Sequence, residues 1–133
     1  RYYFWGKIRA ESGEWMKALV VDDSTINLKV ASKLLYHEGV EVQTVLSGKE
    51  CLEEIKNNKY DIIFMDIMMP EMDGVEVFHH LRENPDFSIP VIALTADAKT
   101  GAKEKYLELG FDGYLAKPIH LEELRTILDQ IRK

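Results

Sequence analysis

Residues 61–74 read Asp61-Ile62-Ile63-Phe64-Met65-Asp66-Ile67-Met68-Met69-Pro70-Glu71-Met72-Asp73-Gly74. The apolar run from Ile62 to Met65 predicts a buried strand, and Pro70 and Gly74 close it with turn chemistry. The run ends on a carboxylate, Asp66. An unpaired charge is costly inside a protein, so a strand leaving the core on Asp66 predicts an edge where that charge has partners.

The same pattern recurs on both sides of this stretch. Upstream, "ALVVD" (18–22) is a short apolar run ending on acid, followed by Asp23 and by Ser24, a good helix cap. The helix that follows is expected to bury Ile26, Val30, Leu34 and Leu35 on one stripe and to end at Gly39. "VEVQTV" (40–45) alternates and is rich in β-branched residues, which predicts a second strand. "GKECLEEIKNN" then supplies a helix with Cys51, Leu52 and Ile55 inward. Downstream come a helix in "VEVFHHLREN", a strand in "PVIALTA", a helix in "KTGAKEKYLELG", a strand in "DGYLA" and a last helix in "HLEELRTILDQIRK". That last helix places Leu121, Leu124, Ile127, Leu128 and Ile131 on one side. Five strands alternating with five helices predict a doubly wound, flavodoxin-like parallel sheet in the order 2-1-3-4-5, with helices on both faces.

Composition bounds the function. The chain has 133 residues, 46% of them hydrophobic, and a formal net charge of −6, which suits one compact domain and gives no electrostatic footprint for nucleic acid. Cys51 is the single cysteine, so no internal disulfide forms and the residue reads as small core filler. No apolar run approaches the length of a membrane span, and the expected location is cytoplasmic, with membrane association only through a larger kinase. Residues 1–17 differ from the rest: Arg1, Lys7, Arg9 and Lys17 outnumber Glu11 and Glu14, and Tyr2, Tyr3, Phe4 and Trp5 are consecutive. They read as a linker, a remnant of a preceding domain or appended sequence, with the aromatic cluster expected to pack on the domain formed by residues 18–133 rather than to dock a partner or lie beside a membrane.

In open α/β sheets, ligands bind beyond the carboxyl ends of the strands. There the first strand delivers Asp22 and Asp23, the third Asp66, the fourth Thr95 and the fifth Lys117. Taken singly, each has an ordinary explanation: helix-entry acids, a turn starter, a strand threonine, a surface lysine. Together they form a repelling acid cluster that calls for a cation. Mg²⁺, with Mn²⁺ as a substitute, fits oxygen ligands better than Ca²⁺, which wants more of them. Zn²⁺ does not fit, because His37, His79, His80 and His120 fall elsewhere. A carboxylate beside such an ion and an ammonium is a nucleophile toward phosphorus, and its product is an aspartyl phosphate.

"VVDDS" (20–24), "DIIFMDIMMPEMDG" (61–74), "VIALTA" (91–96) and "GYLAKPI" (113–119) jointly resemble the receiver domains of two-component response regulators, over residues 18–132. The resemblance implies that Asp66 is the phosphoacceptor and that Asp22 and Asp23 bind Mg²⁺ with it, the backbone carbonyl of Met68 completing the set. It further implies that Thr95 turns toward the phosphoryl group, that Lys117 pairs with it, and that Tyr114 is the aromatic switch. Lys117-Pro118 is then the expected cis peptide, and Met68 and Asp97 are the positions expected to tune phosphoryl lifetime. The implied readout is a face made by residues 99–109, Tyr114 and residues 122–131, biased by phosphorylation. The implied partners are a histidine kinase or histidine phosphotransfer domain as donor and a downstream output domain or protein, with phosphorylation-dependent homodimers compatible with the family. Asn27, taken with the acid pair and the "KPI" ending, points toward receivers of hybrid histidine kinases. His79 and His80 are not expected to donate phosphate. The domain would assist its own phosphorylation and dephosphorylation without being an enzyme in the turnover sense. Two rivals stand beside this reading. One is an interaction module of the same fold that no longer uses phosphate. The other is an aspartate-nucleophile phosphatase, which would usually carry a second acid where Met68 stands.

Overall fold

The computed structural model describes residues 15–96 and 101–131, and the backbone alone of 3–4, 7–8 and 132. Five parallel strands form the sheet: β1 (Lys17–Val21), β2 (Glu41–Val45), β3 (Ile62–Asp66), β4 (Val91–Thr95) and β5 (Gly113–Ala116). Their spatial order is β2-β1-β3-β4-β5, the order read from the alternation of periods. Between and after them run α1 (Thr25–His37), α2 (Gly48–Asn57), α3 (Gly74–Arg82), α4 (Ala102–Glu108) and α5 (Leu121–Arg132). Tyr3–Phe4 and Lys7–Ile8 pair as a separate short antiparallel ribbon. The rest of 1–14 and the expected packing of Tyr2, Tyr3, Phe4 and Trp5 lie outside the described residues.

Successive strand residues point to opposite faces of a sheet, and here both faces are covered. Leu19, Val21, Ile63, Met65, Val91 and Ala93 pack with Cys51, Val77, Phe78 and Tyr106 on one side. Ala18, Val20, Ile62, Phe64, Ile92 and Leu94 pack with Leu28, Leu35, Leu124 and Leu128 on the other. Coverage on both faces is why β3 and β4 are buried at every position and read as continuous apolar runs rather than as alternation. Met16 is buried too, and its carbonyl accepts the Glu41 N–H at 2.9 Å.

The last helix buries most of its expected stripe: Leu124 and Leu128 lie in the core, with Ile127 and Ile131 packed beside them, while Leu121 at its start is only half-buried. Helix α1 does not. It buries Leu28, Ala31 and Leu35, whereas Ile26 is 72% and Val30 45% exposed. Its sequence carries apolar residues around more than one face, so periodicity alone misplaces Ile26 and Val30, and contact with the sheet selects the stripe through 28, 31 and 35. Gly39, at φ 79°, ends α1 in the left-handed conformation expected of it.

Candidate functional site

The acids stand at the carboxyl ends of their strands, Asp22 just after β1 and Asp66 closing β3. Asp22 follows β1 directly and is 1% exposed. Its Oδ1 accepts the Ser24 N–H at 2.9 Å, and Ser24 Oγ in turn accepts the Asn27 N–H at 3.2 Å, capping α1. The turn that starts α1 thus also holds Asp22. Asp23 is exposed. Asp66, the last residue of β3, is 2% exposed, and its Oδ1 accepts the Met68 N–H at 3.3 Å. Thr95 ends β4, also buried, and its carbonyl accepts the Lys117 N–H at 2.9 Å. That bond extends the β4–β5 ladder by one residue and lays Lys117 across the edge.

From there the Lys117 ammonium reaches two carboxylates at once, Asp22 Oδ2 at 2.8 Å and Asp66 Oδ1 at 2.9 Å. Asp22, Asp23 and Asp66 each offer a carboxylate oxygen, and these oxygens lie within 4.8 Å of one another. Among the described residues this is the one grouping of three or more potential side-chain metal ligands. Burial pushes the Asp66 carboxyl up to about 6, with the Asp22 charge adding to the rise and Lys117 and the Met68 N–H opposing it. For Lys117, burial disfavours the ammonium, but the hydrogen bonds and charges of Asp22 and Asp66 outweigh it and raise its pKa. The pair is therefore an ion pair held in a crowded anionic site. Clustered carboxylate oxygens, one of them solvent-facing, suit a hard divalent cation such as Mg²⁺ that keeps part of its water shell.

The remaining residues expected at the site fall in several places. Met68 is 75% exposed beside the acids. The half-buried Tyr114 ring stacks on Tyr106, centroids 6.1 Å apart. The Lys117-Pro118 peptide is cis. Asp97 lies outside the described residues. His37 and His80 engage Glu38 and Glu83, at 3.3 Å and 2.9 Å, away from the acids. Cys51 is fully buried, and burial pushes its thiol up to about 12, the Glu54 charge adding to the rise, as befits core filler.

Two acids that look alike in "DIIFMDIMMPEMDG" separate here. Asp73 caps α3, its Oδ1 accepting the Glu76 N–H at 2.9 Å. Gly74 has a purpose that turn chemistry alone did not reveal. A Cβ there would lie 2.3 Å from the Asp66 carbonyl oxygen and 2.9 Å from the Ile67 Cα, so α3 can start against the strand end only with a glycine. The Ser24 N–H bond to Asp22 was likewise missed, although an acid two residues before a cap is a readable signal.

The comparisons agree with this arrangement. Residues 18–129 match the family model described as response regulator receiver domain. The chain is 38% identical over 146 residues to the hybrid signal transduction histidine kinase L of Dictyostelium discoideum, covering 98% of this chain and 8% of that one. It is 42% identical over 121 residues to the signal transduction histidine-protein kinase BarA of Escherichia coli K12, covering 89% and 13%. The chain thus spans about a tenth of the length of these curated relatives. Among solved structures, the receiver domain of the Francisella response regulator 1452 aligns with a TM-score of 0.76 at 35% identity, covering 88% of this chain and 96% of that one. No helix among the described residues is long and apolar enough to cross a membrane. With this sheet order, this edge and these matches, the chain belongs to the response regulator receiver domain family of two-component systems.

Proposed function

We propose that this domain accepts a phosphoryl group on Asp66 from a phosphohistidine carried by a histidine kinase or phosphotransfer domain. The single observation that carries the reading is the Lys117 ammonium, bonded to both Asp22 and Asp66 inside a group of three convergent carboxylates. Lys117 and the Met68 N–H both bond Oδ1 of Asp66, which leaves Oδ2 to meet the incoming phosphorus. The oxygen–phosphorus bond forms as the donor's phosphorus–nitrogen bond breaks, and the released imidazole keeps that electron pair. Lys117 then faces the new phosphoryl oxygens with a fixed positive charge. Mg²⁺ or Mn²⁺, held by Asp22, Asp23, Asp66 and the Met68 carbonyl, would offset negative charge on the transferring group.

In the same reading, Thr95 supplies a hydroxyl to the phosphoryl group and Tyr114 follows it inward from its stack on Tyr106. The change is read on the face of α4, β5 and α5 by an output domain, a separate protein or a second copy of the domain. Met68 and Asp97 set the lifetime, Met68 by screening the phosphoryl group from water. The domain is consumed and reset rather than turned over.

The test is incubation with Mg²⁺ and acetyl phosphate, or with beryllofluoride as a mimic. Wild type should show a metal-dependent change in Tyr and Trp fluorescence that Asp66→Asn abolishes. Silence in the wild type would favour a phosphate-independent interaction module, and steady hydrolysis of phosphate esters would favour a phosphatase.

A further inference from the structure

The opposite edge of the sheet carries a groove that phosphoryl transfer does not use. It has a volume of about 750 Å³ and lies at the amino ends of the strands. Its apolar walls include Trp15, Ile55, Tyr60 and Ile89, and its rim carries the exposed carboxylates of Glu41, Asp61 and Asp86. Tyr60 anchors the floor: its hydroxyl bonds Glu54, and the Lys17 ammonium lies 5.0 Å from its ring centroid.

We propose that this groove is the docking site of the chain's own amino-terminal segment, residues 2–9. Three observations favour that occupant. The segment is tethered at the groove, because Trp15 lines it and Met16 is fixed in the core. The stretch from Ile8 to Trp15 spans up to about 25 Å when extended, so the segment reaches the groove at the high local concentration of a short tether. Next, the segment needs cover. Tyr2, Tyr3, Phe4 and Trp5 are consecutive, and the ribbon pairing Tyr3 with Ile8 and Phe4 with Lys7 is too short to stand alone in water. Finally, the charges are complementary in sign: Lys7 and Arg9 have no acid between them or before them, whereas the groove carries Glu41, Asp61 and Asp86 against Lys17 and Lys59, a net negative lining. Docking there fixes the direction in which any preceding polypeptide leaves the domain, at the end of the sheet away from Asp66.

The two tryptophans, Trp5 and Trp15, make the test direct. In this 133-residue chain carrying Trp15→Phe, Trp5 is the one remaining tryptophan, and its emission is expected at shorter wavelength than in denaturant, with acrylamide quenching reduced several-fold. Adding Ile89→Lys or, separately, Asp86→Lys should move that emission toward the denatured position while circular dichroism shows the domain still folded. Asp86 is exposed, which keeps the second variant informative if Ile89→Lys unfolds the chain. Solvent-like emission of Trp5 in the folded parent, or shielded emission that ignores the groove substitutions, would overturn the proposal.

Discussion

The two edges of one sheet treat their acids in opposite ways. At the amino edge, Asp61 Oδ2 accepts the N–H of Lys17, the first residue of β1, at 2.8 Å. Asp112 Oδ2 likewise accepts the N–H of Val91, the first residue of β4, at 2.9 Å. Each acid is exposed, separate from the other, and satisfies a strand-end donor that would otherwise lack a partner. At the carboxyl edge, Asp22 and Asp66 are buried together with Asp23 beside them, and one ammonium serves both. The first arrangement holds the sheet together. The second crowds like charges in a partly desolvated place, which costs stability, and such a cost points to chemistry.

Substitutions at the two edges should therefore differ in size and sign. Removing the shared cation is expected to have the largest effect. Lys117→Ala leaves two buried carboxylates uncompensated and should lower metal-free stability by about 3 kcal/mol, with much of the loss recovered when Mg²⁺ is added to the denaturation experiment. If Mg²⁺ recovers nothing, the carboxyl edge is not a cation site.

Asp66→Asn should do the reverse and stabilise the metal-free fold at pH 7, by about 2 kcal/mol. The pH dependence follows from the raised Asp66 carboxyl. The folded protein holds this proton more tightly than the unfolded chain, so the stability it contributes is fully present below about pH 4 and is lost as pH rises through about 6. Urea melts of wild type and Asp66→Asn should converge at pH 4 and separate by pH 7. Parallel pH profiles would mean that the crowding carries no strain.

Gly74→Ala tests the join between β3 and α3. The added Cβ meets the Asp66 carbonyl rather than a movable side chain, and a loss of about 2 kcal/mol is expected, with slower phosphorylation because the strand end must shift. The smallest effect belongs to the amino edge. Asp112→Ala removes one hydrogen bond and an exposed ion pair with Arg82 and should cost about 1 kcal/mol, with phosphorylation by acetyl phosphate unchanged. A phosphorylation defect there would blur the distinction between the edges.

The sheet and its acid edge were legible because buried parallel strands must be apolar throughout and can place charge only where they end. Asp22, Asp66, Thr95 and Lys117 were therefore marked by position, and the structure brings the groups they carry to one edge. What stayed hidden depends on contacts distant in sequence. Periodicity places the exposed Ile26 and Val30 in the core because α1 has several apolar residues outside its buried stripe, and only the sheet decides which face turns inward. Gly74 reads in the sequence only as a turn residue, because the Asp66 carbonyl it must clear belongs to the end of β3. The ion pair of buried Glu38 with Arg125 at 3.0 Å was not foreseen at all, since nothing local announces a partner on α5.

The central claim is that the crowded edge exists to carry phosphate on Asp66. Treatment with Mg²⁺ and acetyl phosphate, reduction of the acyl phosphate with borohydride, and peptide mass spectrometry test it most directly, because reduction leaves homoserine at the phosphorylated aspartate. The account predicts homoserine at position 66, absent without Mg²⁺ and absent in Asp66→Asn. Homoserine at Asp22 or Asp23 instead, or none at all in the folded wild-type protein, would contradict it.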